Sequence, residues 1–123
     1  MASATVILSS KDVGHVGKFD GTNFPFWKFQ VSLVFEQYEL LPVVLGEEVR
    51  PSPGQITDAN GVVSNNEAEI KNWCQRDNAA RNGIVSSIEV AQSRALINCK
   101  TANEMWKRLC SQYEQAAQEN ICS

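Results

Sequence analysis

Apolar residues recur along this 123-residue chain at helical spacing in three separate stretches. In the first, Trp27, Val31, Val34 and Phe35 fall at offsets of four, seven and eight, which is one helical face, and Phe26 and Leu33 widen it. This predicts a helix from Phe24 to Gln37. In the second, Ile70, Trp73, Ala80, Ile84 and Ile88 follow spacings compatible with three and four, interrupted by Asp77. This predicts a long helix from Glu67 to Ile88, with Ala79, Ala80 and Gly83 small enough for another helix to approach. In the third, Ala102, Met105, Trp106, Leu109 and Tyr113 trace an amphipathic helix.

Local signals punctuate these stretches. Asp20-Gly21 is a turn dipeptide, Asn23 is a candidate N-cap, and Pro25 falls in a first turn, where a missing N–H does no harm. Asn65 or Asn66 is placed to cap the second helix, with Glu67 and Glu69 in its positive first turn. Thr101 and Glu104 form a capping box: the Thr101 hydroxyl accepts from the Glu104 amide, and the Glu104 carboxylate reaches back to the Thr101 amide. Pro42 ends or kinks a helix at Leu41, leaving a helical turn or extended connector around Leu40 to Val44. Glu89 to Asn98 reads as a shorter helix or turn. Gly46 to Asn66, rich in Pro, Gly and Asn, reads as a long loop with a local turn at Asn60-Gly61.

These elements predict one all-α domain, a small bundle of about four to five helices. Residues 1–17 read as a flexible tail, 18–115 as the helical lobe with its loop at 46–66, and 116–123 as a C-terminal tail. Within the tail, Thr5-Val6-Ile7-Leu8 reads alternatively as an edge strand or a docking segment. Val43 to Leu45 reads as core or as a surface for a neighbouring copy.

Charge and chemistry narrow the function. The net charge is −3, which argues against strong nonspecific nucleic-acid binding, because phosphate contact needs clustered Lys and Arg. Convergence of Lys71, Arg76, Arg81, Arg94, Lys100, Lys107 and Arg108 would change that, but their spacing is that of solvated faces; Asp77 and Arg81 form an i, i+4 pair. Cys74, Cys99, Cys110 and Cys122 include no C-x-x-C pair, and the lone histidine is His15, so zinc-ligand spacing is lacking. No signal peptide or membrane-length apolar run is evident, which makes a reducing intracellular location with free thiols the default; the even cysteine count leaves a disulfide framework open. No nucleophile stands beside a base, and no phosphate-binding or dinucleotide fingerprint occurs. The expectation is therefore no enzyme, no cofactor and no metal. The three tryptophans admit a base-stacking reading, but one indole within each apolar face fits a shared core better.

The stretch Lys18-Phe19-Asp20-Gly21-Thr22-Asn23-Phe24-Pro25-Phe26-Trp27-Lys28-Phe29-Gln30-Val31 resembles the N-terminal signature of Gag polyproteins from copia-type LTR retrotransposons. Thr101-Ala102-Asn103-Glu104-Met105-Trp106-Lys107-Arg108-Leu109 with Tyr113-Glu114 resembles that family's second block, and Trp73 through Ile88 its intervening helix. On this resemblance, Phe19, Gly21, Asn23, Phe24, Trp27, Trp73, Ile84, Ile88, Trp106, Leu109 and Tyr113 are the motif and core positions. The resemblance implies a lobe like the N-terminal one of retroviral-type capsids. It implies self-association, or association with related Gag copies, in a cytoplasmic virus-like particle around RNA, with contact to RNA indirect and no membrane or small-molecule substrate. A second lobe and a zinc knuckle lie outside the resembling part. A cut piece, a truncated element and a host-derived Gag that modulates intact Gag all remain open, as does an RNA-binding module.

Overall fold

The computed structural model describes residues 13–114, with Ile56 described by its backbone alone. Five helices make the body: α1 (Phe24–Gln37), α2 (Leu41–Leu45), α3 (Glu67–Ser86), α4 (Val90–Ser93) and α5 (Ala102–Leu109). A 3-10 turn, Arg94–Leu96, continues α4, and a π-type turn, Cys110–Glu114, continues α5. Between α2 and α3 lies a small antiparallel hairpin, β1 (Gln55–Thr57) with β2 (Val63–Asn65), in the register Gln55 to Asn65, Ile56 to Ser64 and Thr57 to Val63. The fold is thus mostly helical, as the periodicity predicts. The hairpin is the addition: the segment expected as loop closes on itself at its tip. There Asp58 accepts from the amides of Asn60 (2.8 Å) and Val62 (2.9 Å), a carboxylate doing locally what a backbone turn does.

α1 matches its predicted bounds, but its start is built differently. Asn23 occupies the N-cap position with φ 58° and makes no side-chain cap hydrogen bond. A capping side chain works from extended backbone, and Asn23 stands in the left-handed region instead. The preceding turn is tied instead by Asp20, whose carboxylate accepts from the Thr22 amide (3.0 Å) and hydroxyl (2.7 Å). Gly21, at φ 99°, supplies the left-handed residue this turn requires.

Pro42 does not break a helix. It stands in the first turn of α2, where its fixed φ is an asset, and Gly46 ends that helix at φ 79°. A Cβ at Gly46 would come within 2.9 Å of the Asn103 side chain, which itself donates to the Val44 carbonyl (2.8 Å). Glycine there lets α5 close over the end of α2. Val43 and Val44 are buried and Leu45 is exposed, so the ambiguous run is mainly core.

α3 begins two residues after Asn65, whose side chain accepts from the Glu67 amide at 3.3 Å. Asn66, the other candidate, makes no cap bond. Its side chain spans back across the hairpin base, accepting from the Gly54 amide (3.0 Å) and donating to the Ser52 carbonyl (2.8 Å). The inner end of the expected tail also differs: Val13 and Val16 are buried among the core residues, because an apolar pair just ahead of the aromatic stretch can still reach it. Residues 1–12, with the Val6-Ile7-Leu8 run, and residues 115–123, with Cys122 and the expected tail at 116–123, lie outside the described residues.

Candidate functional site

Three aromatics of the first stretch, Phe19, Phe24 and Trp27, fold into one cluster, while Phe26 and Phe29 stay exposed. Phe19 packs edge-on against Phe24 (5.4 Å between centroids) and against Tyr113 (4.7 Å), and it is tilted on Trp27 (5.6 Å). Trp27 meets Trp106 at 5.8 Å, and Trp106 meets Phe35 at 6.1 Å. Ring pairs at such separations add about 0.5–1.5 kcal/mol each beyond the area they bury. Phe19, Trp27, Phe35, Ile84 and Leu109 are almost wholly inaccessible, and Ile88 and Phe24 nearly so.

A buried serine joins this cluster to α3. Ser87, fully buried, accepts from the Trp27 indole N–H at 3.1 Å, while its own hydroxyl lies 2.8 Å from the Gly83 carbonyl and 3.0 Å from that of Ile84. The hydroxyl has one proton to share between those carbonyls and a lone pair for the indole, so every polar group here is satisfied. The same residue's carbonyl accepts from the Phe19 amide (2.9 Å), and the Phe19 carbonyl accepts from the Glu89 amide (2.9 Å). This isolated parallel bridge of Phe19 with Ile88 straps the start of the lobe across the end of α3. Nothing in the local sequence singles out Ser87, since its role depends on a tryptophan sixty residues away.

Asp77 is the second buried polar group, only 3% exposed. One carboxylate oxygen accepts from the Ala102 amide at 2.8 Å and the other lies 3.1 Å from Arg81 Nε. Two signals therefore converge at the start of α5, because Thr101 accepts from the Glu104 amide at 3.1 Å. The return half of the expected box differs: the Glu104 carboxylate lies 3.5 Å from the Thr101 hydroxyl, and Asp77 is the carboxylate that reaches a first-turn amide. The interruption in the apolar pattern of α3 was the legible sign of this contact.

Trp73 takes a different part from the other two tryptophans. It is buried, yet it lies outside the aromatic cluster. Its indole N–H donates to the Glu48 carbonyl at 2.9 Å, and Arg76 binds the Glu48 carboxylate and donates to the Glu39 carbonyl (2.7 Å). Trp73 and Arg76 thus clamp the chain leaving α2 onto α3. At 8% exposed, Trp73 offers little ring surface on which a base could stack, although it contributes to the lining of the neighbouring groove.

Open grooves flank this clamp, and two of them bear on charge. One, of about 510 Å³, is lined by Glu36, Glu39, Leu41, Pro42, Leu45, Glu47 and Arg76. The other, of about 430 Å³, brings Arg50, Arg81 and Lys100 together with Asp77 and Glu104. Of the expected cationic set, only Arg81 and Lys100 meet in this groove, with carboxylates of opposite sign between them.

Titratable groups here do structural work. The Lys28 ammonium, 2.7 Å away, holds the Glu114 carboxyl below its ordinary value, as the Thr22 hydroxyl and amide do for Asp20. Burial pushes the Cys110 thiol up to about 11, which leaves it protonated and a poor nucleophile at neutral pH. Among the described residues Cys74, Cys99 and Cys110 are free thiols, and no three His, Cys, Asp or Glu side chains gather as metal ligands. No helix of the described residues is long and apolar enough to cross a membrane.

The fold is a mostly helical body with Phe19, Phe24, Trp27 and Trp106 packed in its interior; comparison with known proteins gives the family. The model of the gag-polypeptide of LTR copia-type matches residues 31–121, and the chain belongs to that family. The match begins at Val31, the last residue of the aromatic stretch, so its range takes in Trp73–Ile88 and Thr101–Glu114 and almost none of that stretch. The chain is also 26% identical, over 98 residues, to the retrovirus-related Pol polyproteins from transposons RE1 and RE2 of Arabidopsis thaliana. That alignment covers 80% of this chain and 6% of either polyprotein. It is the Gag part, not a catalytic Pol segment, that the chain matches. No solved structure matches the chain.

Proposed function

We propose that this chain is a structural Gag-type lobe that self-associates through its helical surfaces and contributes to a retrotransposon-type shell around RNA. Family membership supplies the setting. The observation that carries the reading is the large apolar side chains left outside: Phe26, Phe29, Leu33, Val90 and Ile97 are each more than half exposed on helices or the turns that follow them. Large exposed apolar patches mark surfaces that meet a partner. Weak contacts suffice in a shell, because many copies add their contributions.

Size exclusion with light scattering, over a concentration series, tests the reading. The expected result is a mass above the monomer that rises with concentration. A strict monomer at millimolar concentration would contradict it.

A further inference from the structure

The outer face of α1 carries an apolar stripe that the lobe leaves uncovered. Phe26, Phe29 and Leu33, at offsets of three and seven, are 53%, 61% and 52% exposed. The opposite face of the same helix is core, with Trp27, Val31, Val34 and Phe35 buried. α1 therefore carries large apolar side chains on its outer face as well as its inner one, interspersed there with Gln30, Glu36 and Gln37. Apolar surface of that kind marks a place where a partner packs.

We infer that this stripe is the contact between two copies of the chain, packed as antiparallel α1 helices about a two-fold axis near Phe29 and Gln30. The inference rests on the self-association reading above and names its surface. Three observations select a second copy as the occupant. First, the stripe is self-complementary: an antiparallel crossing at Phe29 and Gln30 sets Phe26 of each copy against Leu33 of the other, as a two-fold contact requires. Second, the ends complement each other in charge. The N-terminus of α1 has no side-chain cap and no acidic residue in its first turn. The same crossing places Glu36 of one copy beside Asn23 of the other, and a carboxylate there answers the positive helix end. Third, the area fits a shell contact. Side chains so exposed offer on the order of 300 Å² per copy. The pair then buries well below the ~1,200–2,000 Å² of a stable, specific interface, so the contact is weak alone and counts through repetition.

Sedimentation equilibrium of the full chain, from about 50 µM to 1 mM, tests this with surface variants. Phe29→Ser and Leu33→Ser remove apolar surface from an exposed face, and circular dichroism checks that they keep the fold. The expected wild-type mass climbs toward the dimer. Phe29→Ser weakens association by about tenfold or more, and Glu36→Lys by about threefold. If the wild type associates and Phe29→Ser does so equally, this face is wrong and self-association stands. If the stripe variants abolish association but Glu36→Lys leaves it unchanged, the antiparallel crossing is wrong. A wild type that stays monomeric throughout overturns both this contact and the self-association reading.

Discussion

Trp27 and Trp73 are the same residue type on neighbouring helices, each buried, each donating its indole N–H, yet they hold different things. Trp27 lies among Phe19, Phe24 and Trp106 and donates to the buried Ser87 side chain, so its loss removes the centre of the core. Trp73 stands outside that cluster and donates to a loop carbonyl at Glu48, so its loss frees a connection. A buried indole is therefore not one structural role. What decides it is whether the partner is a side chain of the interior or the backbone of a passing segment.

The largest effect that would break the contrast is from Trp27→Ala. Emptying that site should cost about 3–5 kcal/mol, enough to leave a marginal lobe largely unfolded. Urea denaturation followed by circular dichroism reads it. Trp73→Ala should cost less in the same titration, because fewer core rings lose a neighbour.

Asp77→Ala comes next. It strands the Ala102 amide and leaves the Arg81 guanidinium without its anion, so the start of α5 loses one of its two ties. Removing one member of a buried charge pair costs about 3–5 kcal/mol, with the lower end expected because Arg81 is a third exposed and can turn to water. Thermal unfolding measures it, and Asp77→Asn should recover part of the loss through the amide oxygen.

Ser87→Ala is smaller. It leaves the Trp27 N–H buried without an acceptor, a cost of about 1–3 kcal/mol, which should lower the urea midpoint read by circular dichroism. The same substitution leaves the Trp73 clamp untouched.

The smallest effect is electrostatic. The Glu114 carboxyl titrates below its ordinary value in the folded chain because Lys28 holds its charged form. A lowered folded pKa contributes stability above the unfolded value, and that contribution is lost as the pH falls through the folded one. Glu114→Gln should therefore flatten the acid limb of a stability-against-pH curve while changing stability near neutrality by only ~0.2–1 kcal/mol, since the pair is a third exposed.

How far the sequence predicted this contrast depends on the range over which each signal acts. Helix positions were legible because period and punctuation are local: α1 runs Phe24–Gln37 as expected, and Thr101 does accept from Glu104. Asn23 shows where a local signal fails, because a cap depends on a backbone angle that the residue type does not determine. The hairpin was missed because its strands are only three residues each, too short for alternation to show, and β2 is exposed throughout. Ser87, the Glu48 carbonyl and the Phe19 bridge were out of reach for another reason: each acts on a partner far along the chain. The same limit explains why three tryptophans looked alike. Their spacing reports that each faces inward, not what each meets there.

Hydrogen exchange on Trp73→Ala tests the two-role account most directly. The account predicts that the amides between Glu47 and Asn66 lose protection while those of α1 and α5 keep theirs. Equal loss across α1, α5 and the connecting segment would contradict it and return Trp73 to the core.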